Sequence, residues 1–424
     1  MKNKIHIIGA GISGLVAALV LENQGYEPVV IDSSDRPGGR IKTDKFKGYQ
    51  LDRGFQVLLT AYPAAQKYLD YEDLNLQLFL PGSTIFKNRL KKTLGDPLRN
   101  ISLLLPTIFS GIGTVSDKLN ILKLNKMLKN TSISAIFLKE EKTTLQYLQD
   151  FGFSEKIIED FFQPFFSGIF LEIELRTSSR MFEFVYKMFG EGDAALPKSG
   201  IEAIPKQLRG KLKKTKFFFK TKIQSVESNK IILSNGVVLD TDYTIVATDP
   251  GKIIPSLNQQ KKIWKSCDTL YFEADKKKIK KALIGLVSDK NSLINNIFYH
   301  TSQEQSSHGA KELLSVTVIK KHNLSVEELV KQVEKELEKH CKITSLKFLK
   351  HYFIKKALPD LKRIKYSIEP ENTKLSKEFF LAGDTLLNGS LNAAIISGEK
   401  AALGVIAEIA KRTEEKDVSE ALIH

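Results

Sequence analysis

Three glycines and one aspartate near the start of the chain have the residue types and the spacing that bind a dinucleotide. Gly9, Gly11 and Gly14 form the pattern GxGxxG directly after the apolar run IHII, and Asp32 follows eighteen residues after Gly14. The first glycine permits a tight turn, the second lets the backbone approach a pyrophosphate, and the third allows close helix–strand packing. A carboxylate at the position of Asp32 accepts hydrogen bonds from an adenosine ribose and disfavours a 2′-phosphate.

The elements that must position these residues follow from the hydrophobic pattern. IHII indicates a short buried strand, LVAALVLENQ indicates a helix, and EPVVID indicates a second strand that ends at Asp32. Ile12 and Ser13 lie where the helix begins, so the N–H groups and the positive dipole end of the helix are expected to face the phosphates. The lysines and the apolar run also imitate a signal peptide, but the glycines inside the run favour the nucleotide-binding interpretation.

A second glycine-rich segment, SSDRPGGRIKT, begins at Ser33 immediately after Asp32. A nicotinamide cofactor does not require Gly38, Gly39 and Arg40 at this place. The two glycines allow a second backbone segment to approach a cofactor closely, and the guanidinium of Arg40 can reach a diphosphate or a flavin edge. We therefore expect this segment to belong to the same cofactor site.

The C-terminal segment FFLAGDTLLNGSLNAAIISGEKAALGVI predicts a buried strand, a turn at Gly383 and Asp384, and a helix rich in small residues. Asp384 is placed to bond a ribityl or phosphate-linked hydroxyl. The helix begins near Leu391 and Asn392, so its dipole is expected to point at negative charge, and Ala394 allows it to pack closely. Both ends of the chain are therefore expected to build one cofactor site.

Together these segments resemble the FAD-dependent superfamily that contains the flavin amine oxidases, the protoporphyrinogen oxidases and the phytoene desaturases. The resemblance implies FAD as the cofactor. Covalent members use a cysteine near the C-terminal motif, and none lies there in this chain, so FAD is expected to bind non-covalently. The segment GYQLDRGFQVLLTAYP is similar to a family segment that passes near the flavin, which implies contacts from Gly54, Phe55 and Gln56.

The resemblance also assigns roles to the middle of the chain. It implies that Val226 contacts the adenine part of FAD and that Ala247 and Thr248, in YTIVATDP, close that side of the site. It covers nearly the whole chain and implies an α/β fold: a Rossmann-like FAD-binding domain of the GR2 type with an inserted α+β substrate domain. The predicted boundaries are 1–84, 200–254 and 362–412 for the FAD-binding domain, 85–199 and 255–361 for the substrate domain, and 413–424 for a charged tail.

Composition restricts the partners and the compartment. The chain has 424 residues, a net charge of +15 and two cysteines. Its length indicates at least two domains, and the few cysteines favour a reducing compartment, the cytoplasm. The charge suits an acidic partner or a solvated surface. No nucleic-acid motif and no metal-ligand spacing is found. The apolar stretch 101–115 is too short for a membrane span, which leaves a peripheral contact with anionic lipid or a buried hairpin as alternatives.

Departures from the amine-oxidising relatives shape the functional prediction. Ser390 stands where those relatives carry a tyrosine of an aromatic cage, and the strand CDTLYFEAD lacks their lysine. We therefore predict hydride transfer from a C–H bond of an apolar, ring-bearing or isoprenoid-like substrate to flavin N5, with oxygen or a quinone as electron acceptor. No side chain is singled out as catalytic. The alternatives are a flavin amine oxidase and a non-enzymatic lipid- or prenyl-binding member of the fold.

The stretch FFQPFFSGIF, residues 161–170, holds five phenylalanines. Their spacing indicates a broad apolar helix face, which Pro164 kinks or starts afresh. Domain core, the wall of a substrate pocket and a membrane-facing patch are the three interpretations. An inserted domain needs such a face for its own core, so the membrane patch is the least favoured. Phe166 and Phe170 are the predicted pocket residues, together with Ser390.

Overall fold

The computed structural model describes residues 3–95, 99–103, 111–257, 262–306 and 309–421. Its central sheet consists of five parallel strands drawn from distant parts of the chain. Four of the five strands are largely buried and almost wholly apolar, as is typical of parallel strands covered on both faces, whereas the edge strand β10 is partly exposed. From one edge to the other they are β10 (Lys216–Phe218), β2 (Val29–Ile31), β1 (Ile5–Ile8), β14 (Tyr243–Val246) and β20 (Phe379–Leu381).

Helices from both ends of the chain pack together beside this sheet. Helix α1 (Ile12–Asn23) lies against the C-terminal helix α11 (Leu391–Ala421). A Cβ atom on Gly398 would lie 2.1 Å from the carbonyl oxygen of Ser13, so glycine is what permits this approach. The short helix α2 (Pro63–Tyr68) also contacts α11, and α9 (Ala203–Lys211) contacts α1.

A larger, seven-stranded sheet forms the second layer of the molecule. All of its pairings are antiparallel except that of β16 with β7. One helix, α10 (Val326–Glu336), covers it and begins with a capping box between Ser325 and Glu328. Across the sheet the strands are β19 (Leu346–Pro359), β15 (Trp264–Ala274), β18 (Glu312–Val318), β17 (Ile294–Tyr299), β16 (Ile284–Val287), β7 (Gly82–Lys87) and β8 (Leu90–Gly95).

A helical subdomain packs against the larger sheet and holds 11 of the 25 phenylalanines. A turn of π-helix (Ile158–Phe162) leads directly into α7, and Pro164 stands in the first turn of α7, where the hydrogen-bonding pattern changes from π to α. The helices are α3 (Val115–Lys129), α4 (Ile133–Leu138), α5 (Thr144–Asp150), α6 (Glu155–Ile157), α7 (Gln163–Phe170) and α8 (Ser179–Glu191).

Three small sheets complete the fold. Residues 235–236, Asn-Gly, stand in the turn of a hairpin, because β12 and β13 pair in antiparallel fashion on either side of them. The small sheets comprise β11 (Ile223–Glu227), β12 (Lys230–Leu233) and β13 (Val238–Asp240); β3 (Thr43–Phe46) and β4 (Tyr49–Asp52); and β5 (Leu58–Leu59), β9 (Ala194–Pro197) and β6 (Leu76–Leu78).

Two expectations from the sequence concern the charged tail and the apolar stretch 101–115. Residues 413–421 of the predicted charged tail continue α11 as far as Ala421, because Glu, Lys, Arg and Ala favour helix. Residues 104–110 of the apolar stretch 101–115 lie outside the described residues. Among the helices that are described, none is both long and apolar enough to cross a membrane. The domain boundaries stay a prediction.

Candidate cofactor and substrate site

A cavity of about 1050 Å³ lies between the central sheet and the larger sheet. One end is a polar groove at the carboxyl ends of β1, β14 and β20, and the other is an apolar chamber between the helical subdomain and the larger sheet. Ligands of open α/β sheets bind at the carboxyl ends of the strands. The polar end is therefore where a dinucleotide is expected.

The loop that contains Gly9, Gly11 and Gly14 is as tight as the GxGxxG pattern requires. Gly9 has a φ of +110°, and a Cβ on it would lie 2.8 Å from the carbonyl oxygen of Ala247. A Cβ on Gly14 would lie 1.9 Å from the carbonyl oxygen of Gly9, so Gly14 packs beneath the loop and does not line the cavity. No side chain caps the N-terminus of α1 at Gly11. Its first N–H groups are thus open to a phosphate.

Asp32 directly follows β2 and organises the wall of the groove. Its Oδ2 accepts a hydrogen bond from the Ala10 N–H at 2.6 Å, and its Oδ1 accepts from the N–H and the hydroxyl of Ser34 at 2.7 and 2.6 Å. The carboxylate is partly exposed and lines the cavity, as a ribose partner must. Ser33, in contrast, is exposed and does not line the cavity.

Arg40 and Asp384 meet across the groove. The Nη2 of Arg40 lies 2.5 Å from the Oδ1 of Asp384, and its Nη1 donates to the carbonyl oxygen of Ala357 at 3.2 Å. The guanidinium also stands 5.2 Å from the ring centroid of Trp264. The Gly383 N–H donates to the hydroxyl of Ser397 at 2.9 Å, which fixes the turn before Asp384. The GGR segment and the C-terminal turn thus form one wall.

Three lysines that the sequence did not single out add positive charge to the same groove. Lys356 pairs with Asp249 at 2.7 Å, Lys262 donates to the hydroxyl of Thr385 at 2.8 Å, and Lys252 lines the cavity nearby. Burial lowers the pKa of Lys262. Burial raises the pKa of Asp249, but its bond to Lys356 and the other lysines hold it below its usual value. No local pattern marks these lysines, because only the folded chain brings them to the groove.

The segment expected beside the flavin lies where the groove opens into the chamber. Gly54 has a φ of +93°, and a Cβ on it would lie 3.7 Å from the side chain of Ile354 on β19. The amide of Gln56 donates to the carbonyl oxygens of Arg40 and Arg53 at 3.2 and 3.0 Å. Gly54, Phe55 and Gln56 all line the cavity. Their backbone joins the groove to the chamber.

Aromatic side chains form much of the chamber wall. Phe166 lines it and packs against Phe182 at a centroid separation of 4.7 Å. Phe170 does not line it; it is buried behind Phe166 at a centroid separation of 5.4 Å. The pocket interpretation therefore applies to Phe166, and the core interpretation applies to Phe170. The aromatic lining residues are Phe55, Tyr62, Phe79, Phe161, Phe165, Phe166, Tyr186 and Phe189.

Strand β15, which contains most of the segment CDTLYFEAD, is longer than the sequence indicated. It begins at Trp264 and includes Lys265, whose Nζ contacts the hydroxyl of Thr177 at 3.3 Å and pairs with Asp360 at 3.7 Å. Lys265 does not line the cavity, whereas Cys267 does. Burial raises the pKa of Cys267 to about 12, so its thiol is protonated at neutral pH and is not an activated nucleophile.

Most of the predicted site residues come together in this one cavity. Those that line it are Gly9, Gly11, Ile12, Ser13, Asp32, Gly38, Gly39, Arg40, Gly54, Phe55, Gln56, Ala247, Thr248, Gly383, Asp384, Ser390, Leu391, Ala394 and Phe166. Val226 and Asn392 do not line it. Val226 is buried in the core beneath the β11–β13 sheet, and the Oδ1 of Asn392 accepts a hydrogen bond from the Ala64 N–H at 2.9 Å.

Comparison with known proteins agrees with this geometry. A family model described as flavin-containing amine oxidoreductase matches residues 12–406. Coproporphyrinogen III oxidase of Bacillus subtilis is 24% identical over 299 residues, which are 59% of this chain and 60% of that protein. An L-amino-acid oxidase of Trimeresurus stejnegeri is 31% identical over 152 residues, 34% of this chain and 30% of that protein. The matches thus span about a third to three-fifths of these relatives.

Solved structures share the fold over nearly the whole chain. Cyclohexylamine oxidase of Brevibacterium oxydans superposes with a TM-score of 0.69 at 14% identity and covers 97% of this chain and 100% of its own. A putrescine oxidase solved with putrescine bound gives a TM-score of 0.67 at 15% identity, covering 96% and 99%. The predicted Rossmann-like flavoprotein fold, the FAD cofactor and the oxidoreductase class are confirmed.

Proposed function

Because this chain belongs to the family of flavin-containing amine oxidoreductases, we propose that it removes a hydride from a C–H bond of an apolar, ring-bearing or isoprenoid-like substrate. The observation that carries the proposal is the continuity of the cavity, whose cofactor groove opens directly into a chamber walled by aromatic rings. When bound, FAD supplies the hydride acceptor at N5. The chain itself supplies orientation and a space from which water is excluded.

The residues of the groove fit FAD. The open N-terminus of α1 and the cations Arg40, Lys262 and Lys356 suit a diphosphate, and Asp32 suits a ribose. A Cβ on Gly39 would lie 3.2 Å from the Cα of Gly11, so two backbone segments meet at the floor of the groove and leave its space to the cofactor. Helix α11 begins at Leu391, and its dipole favours negative charge at the inner end of the groove.

The charges around the cavity favour an uncharged reacting group over an ammonium. Three of its acidic residues, Asp32, Asp249 and Asp384, belong to the cofactor groove, and Asp193 is paired with Arg99 at 2.5 Å. Among the described lining residues, no unpaired carboxylate faces the aromatic rings to balance a cationic amine. Ser390, at the position of the amine-oxidase tyrosine, donates a hydrogen bond to Asn388 at 2.7 Å. Amine oxidation is therefore the second candidate.

Anaerobic reduction of the FAD-loaded protein tests this proposal. We expect uncharged substrates with activated ring or allylic C–H bonds to bleach the visible flavin absorbance, and simple amines to leave it unchanged. Bleaching by amines alone would contradict the proposal and favour amine oxidation. A protein that stays colourless after addition of FAD would exclude both. Re-oxidation by oxygen or by a soluble quinone, measured separately, identifies the electron acceptor.

A peripheral contact with anionic lipid is supported by the outer face of α3. Val115, Leu119 and Leu122 are 75%, 62% and 51% exposed and lie on one side of the helix. Leu122 also lines the cavity, and the helix carries four lysines, so a bilayer there would lie beside an opening of the chamber. We expect flotation with vesicles of phosphatidylcholine and phosphatidylglycerol at low salt. Leu119→Glu should abolish it and Val238→Glu, on the β11–β13 sheet, should not; equal flotation of both variants would contradict this contact.

A further inference from the structure

The apolar chamber contains a row of neutral polar side chains that the proposed function does not use. Asn295, Asn296 and Thr317 all line the cavity and are 7%, 2% and 4% exposed. They stand on adjacent strands, because Asn296 on β17 is the register partner of Thr317 on β18. Buried amides are expensive unless they are hydrogen-bonded. Their presence in an otherwise apolar wall therefore requires a reason.

A bulge in β17 directs both amides toward the chamber. The pairing of β17 with β18 shifts between Ile294 and Asn296, which makes Asn295 the extra residue. In a regular strand, consecutive side chains point to opposite faces; a bulge re-aims one of them. Helix α7 contacts the pair through Gly168, where a Cβ would lie 2.7 Å from the Nδ2 of Asn295. Two successive amides thus face the space between α7 and the sheet.

The hydrogen bonds within this row of polar side chains leave some of its polar atoms without a partner. The Nδ2 of Asn295 donates to the Pro164 carbonyl at 3.2 Å and to the Oδ1 of Asn296 at 3.0 Å, and the Nδ2 of Asn296 donates to the Thr317 hydroxyl at 3.3 Å. None of the described residues donates to the Oδ1 of Asn295. The hydroxyl of Thr269, register partner of Thr317 on β15, is buried without a partner in the described part of the chain. Both Nδ2 hydrogens of Asn295 are used within the protein, so what this amide itself offers to the cavity is an acceptor, its Oδ1.

We propose that Asn295, held by Asn296 and Thr317, is a specificity-determining residue that accepts a hydrogen bond from a neutral ring N–H or O–H group of the substrate. This inference rests on the proposed function, because it describes the molecule that occupies the same chamber. It narrows that molecule from any apolar compound to an uncharged ring system with a hydrogen-bond donor. A saturated or polyene hydrocarbon leaves the Oδ1 of Asn295 without a partner and is disfavoured.

Two probes of equal shape test the proposal. Carbazole carries a ring N–H where dibenzofuran carries an oxygen atom, so only carbazole has the donor, and neither ring has an activated C–H bond that could reduce the flavin. We titrate each into the FAD-loaded full-length protein and follow the change in flavin absorbance. One net hydrogen bond predicts about fivefold tighter binding of carbazole. In Asn295→Leu the two affinities are expected to become equal, mainly through weaker binding of carbazole. Asn125→Leu makes the same change elsewhere in the cavity wall and should keep the preference.

The possible results separate this inference from the proposed function. Equal affinities in the wild-type protein, no binding of either probe, or an unchanged preference in Asn295→Leu would each overturn it. If Asn295→Leu fails to retain FAD, Asn295→Ala, which only removes atoms, replaces it with the same expected loss of preference. The assay reads binding and not turnover. A carbazole preference in a protein that no C–H donor reduces would refute the proposed function and leave the binding site standing.

Discussion

Arg40 and Asp384 are 344 residues apart in the chain, yet the Nη2 of Arg40 lies 2.5 Å from the Oδ1 of Asp384. The carboxylate side chain is 7% exposed and that of the arginine 39%. A buried carboxylate is costly without a counter-charge. The ion pair therefore fastens the loop after β2 to the turn after β20, and it places a cation and a carboxylate side by side on the wall of the cofactor groove.

Loss of Arg40 is expected to weaken FAD binding at least about tenfold, since a charge-assisted hydrogen bond contributes about 1.5–3 kcal/mol. Arg40→Ala removes the cation and leaves Asp384 buried without its partner. Titration of the apoprotein with FAD, followed by flavin fluorescence, measures the change. Arg176→Ala removes an exposed arginine whose side chain is 75% exposed, and its affinity for FAD should equal that of the wild type. A similar affinity in both variants would contradict the assigned role.

Replacement of the groove lysines should weaken FAD binding and reduce its dependence on salt. Lys262→Met and Lys356→Met each remove a cation at the polar end of the cavity, and we expect about three- to fivefold lower affinity for each. Lys265→Met is the matched control, because Lys265 lies only three residues after Lys262 but does not line the cavity. Affinities measured at two ionic strengths check the prediction, which fails if the control loses as much affinity as the other two variants.

Two glycine-to-alanine changes are expected to have opposite effects on stability. A Cβ on Gly14 would lie 1.9 Å from the carbonyl oxygen of Gly9, so Gly14→Ala must displace the loop and should cost about 1–3 kcal/mol. A Cβ on Gly210, in α9, meets nothing within 4 Å. Gly210→Ala should stabilise the helix by about 0.5–1 kcal/mol. Denaturant unfolding measures both changes in the free energy of unfolding. A lower value for Gly210→Ala than for the wild type would contradict the prediction for α9.

The buried carboxyl of Asp52 predicts a pH-dependent stability. Burial raises its pKa from 3.8 to about 6, so the folded state holds this proton more tightly than the unfolded state. Stability is therefore lost as the pH rises from about 4 to about 6, and the loss persists at higher pH. Asp52→Asn stays neutral and keeps an acceptor for the Thr43 hydroxyl and the Ile201 N–H.

We expect Asp52→Asn to exceed the wild type in unfolding free energy by about 1–3 kcal/mol at pH 8 and by little at pH 4. Denaturant unfolding at both values measures the difference. Asp275→Asn, which alters an exposed carboxylate, should show no such pattern. A gain of equal size at both pH values would mean that the effect of Asp52→Asn does not come from ionisation.

The sequence by itself identified the cofactor end of the molecule. Gly9, Gly11, Asp32 and the GGR segment could be assigned because they are local: each acts through the backbone of its own few residues, and the spacing that works is narrow. The turn at Gly383 and the start of α11 could be predicted from the sequence for the same reason. The Asn-Gly hairpin and the capping box at Ser325, which the structure shows, are local in the same sense, because each depends on neighbouring residues alone.

The tertiary structure decided which side chains share the chamber. Lys262 lies just before β15 and Lys356 lies on β19, and nothing in their neighbourhoods in the sequence marks them as groove residues. Phe166 and Phe170 looked equivalent until the helix direction placed one ring on the cavity and the other behind it. Asn295 faces the chamber only because β17 bulges there. Local patterns determined the cofactor, whereas long-range packing determined the substrate wall, since the wall exists only where distant segments meet.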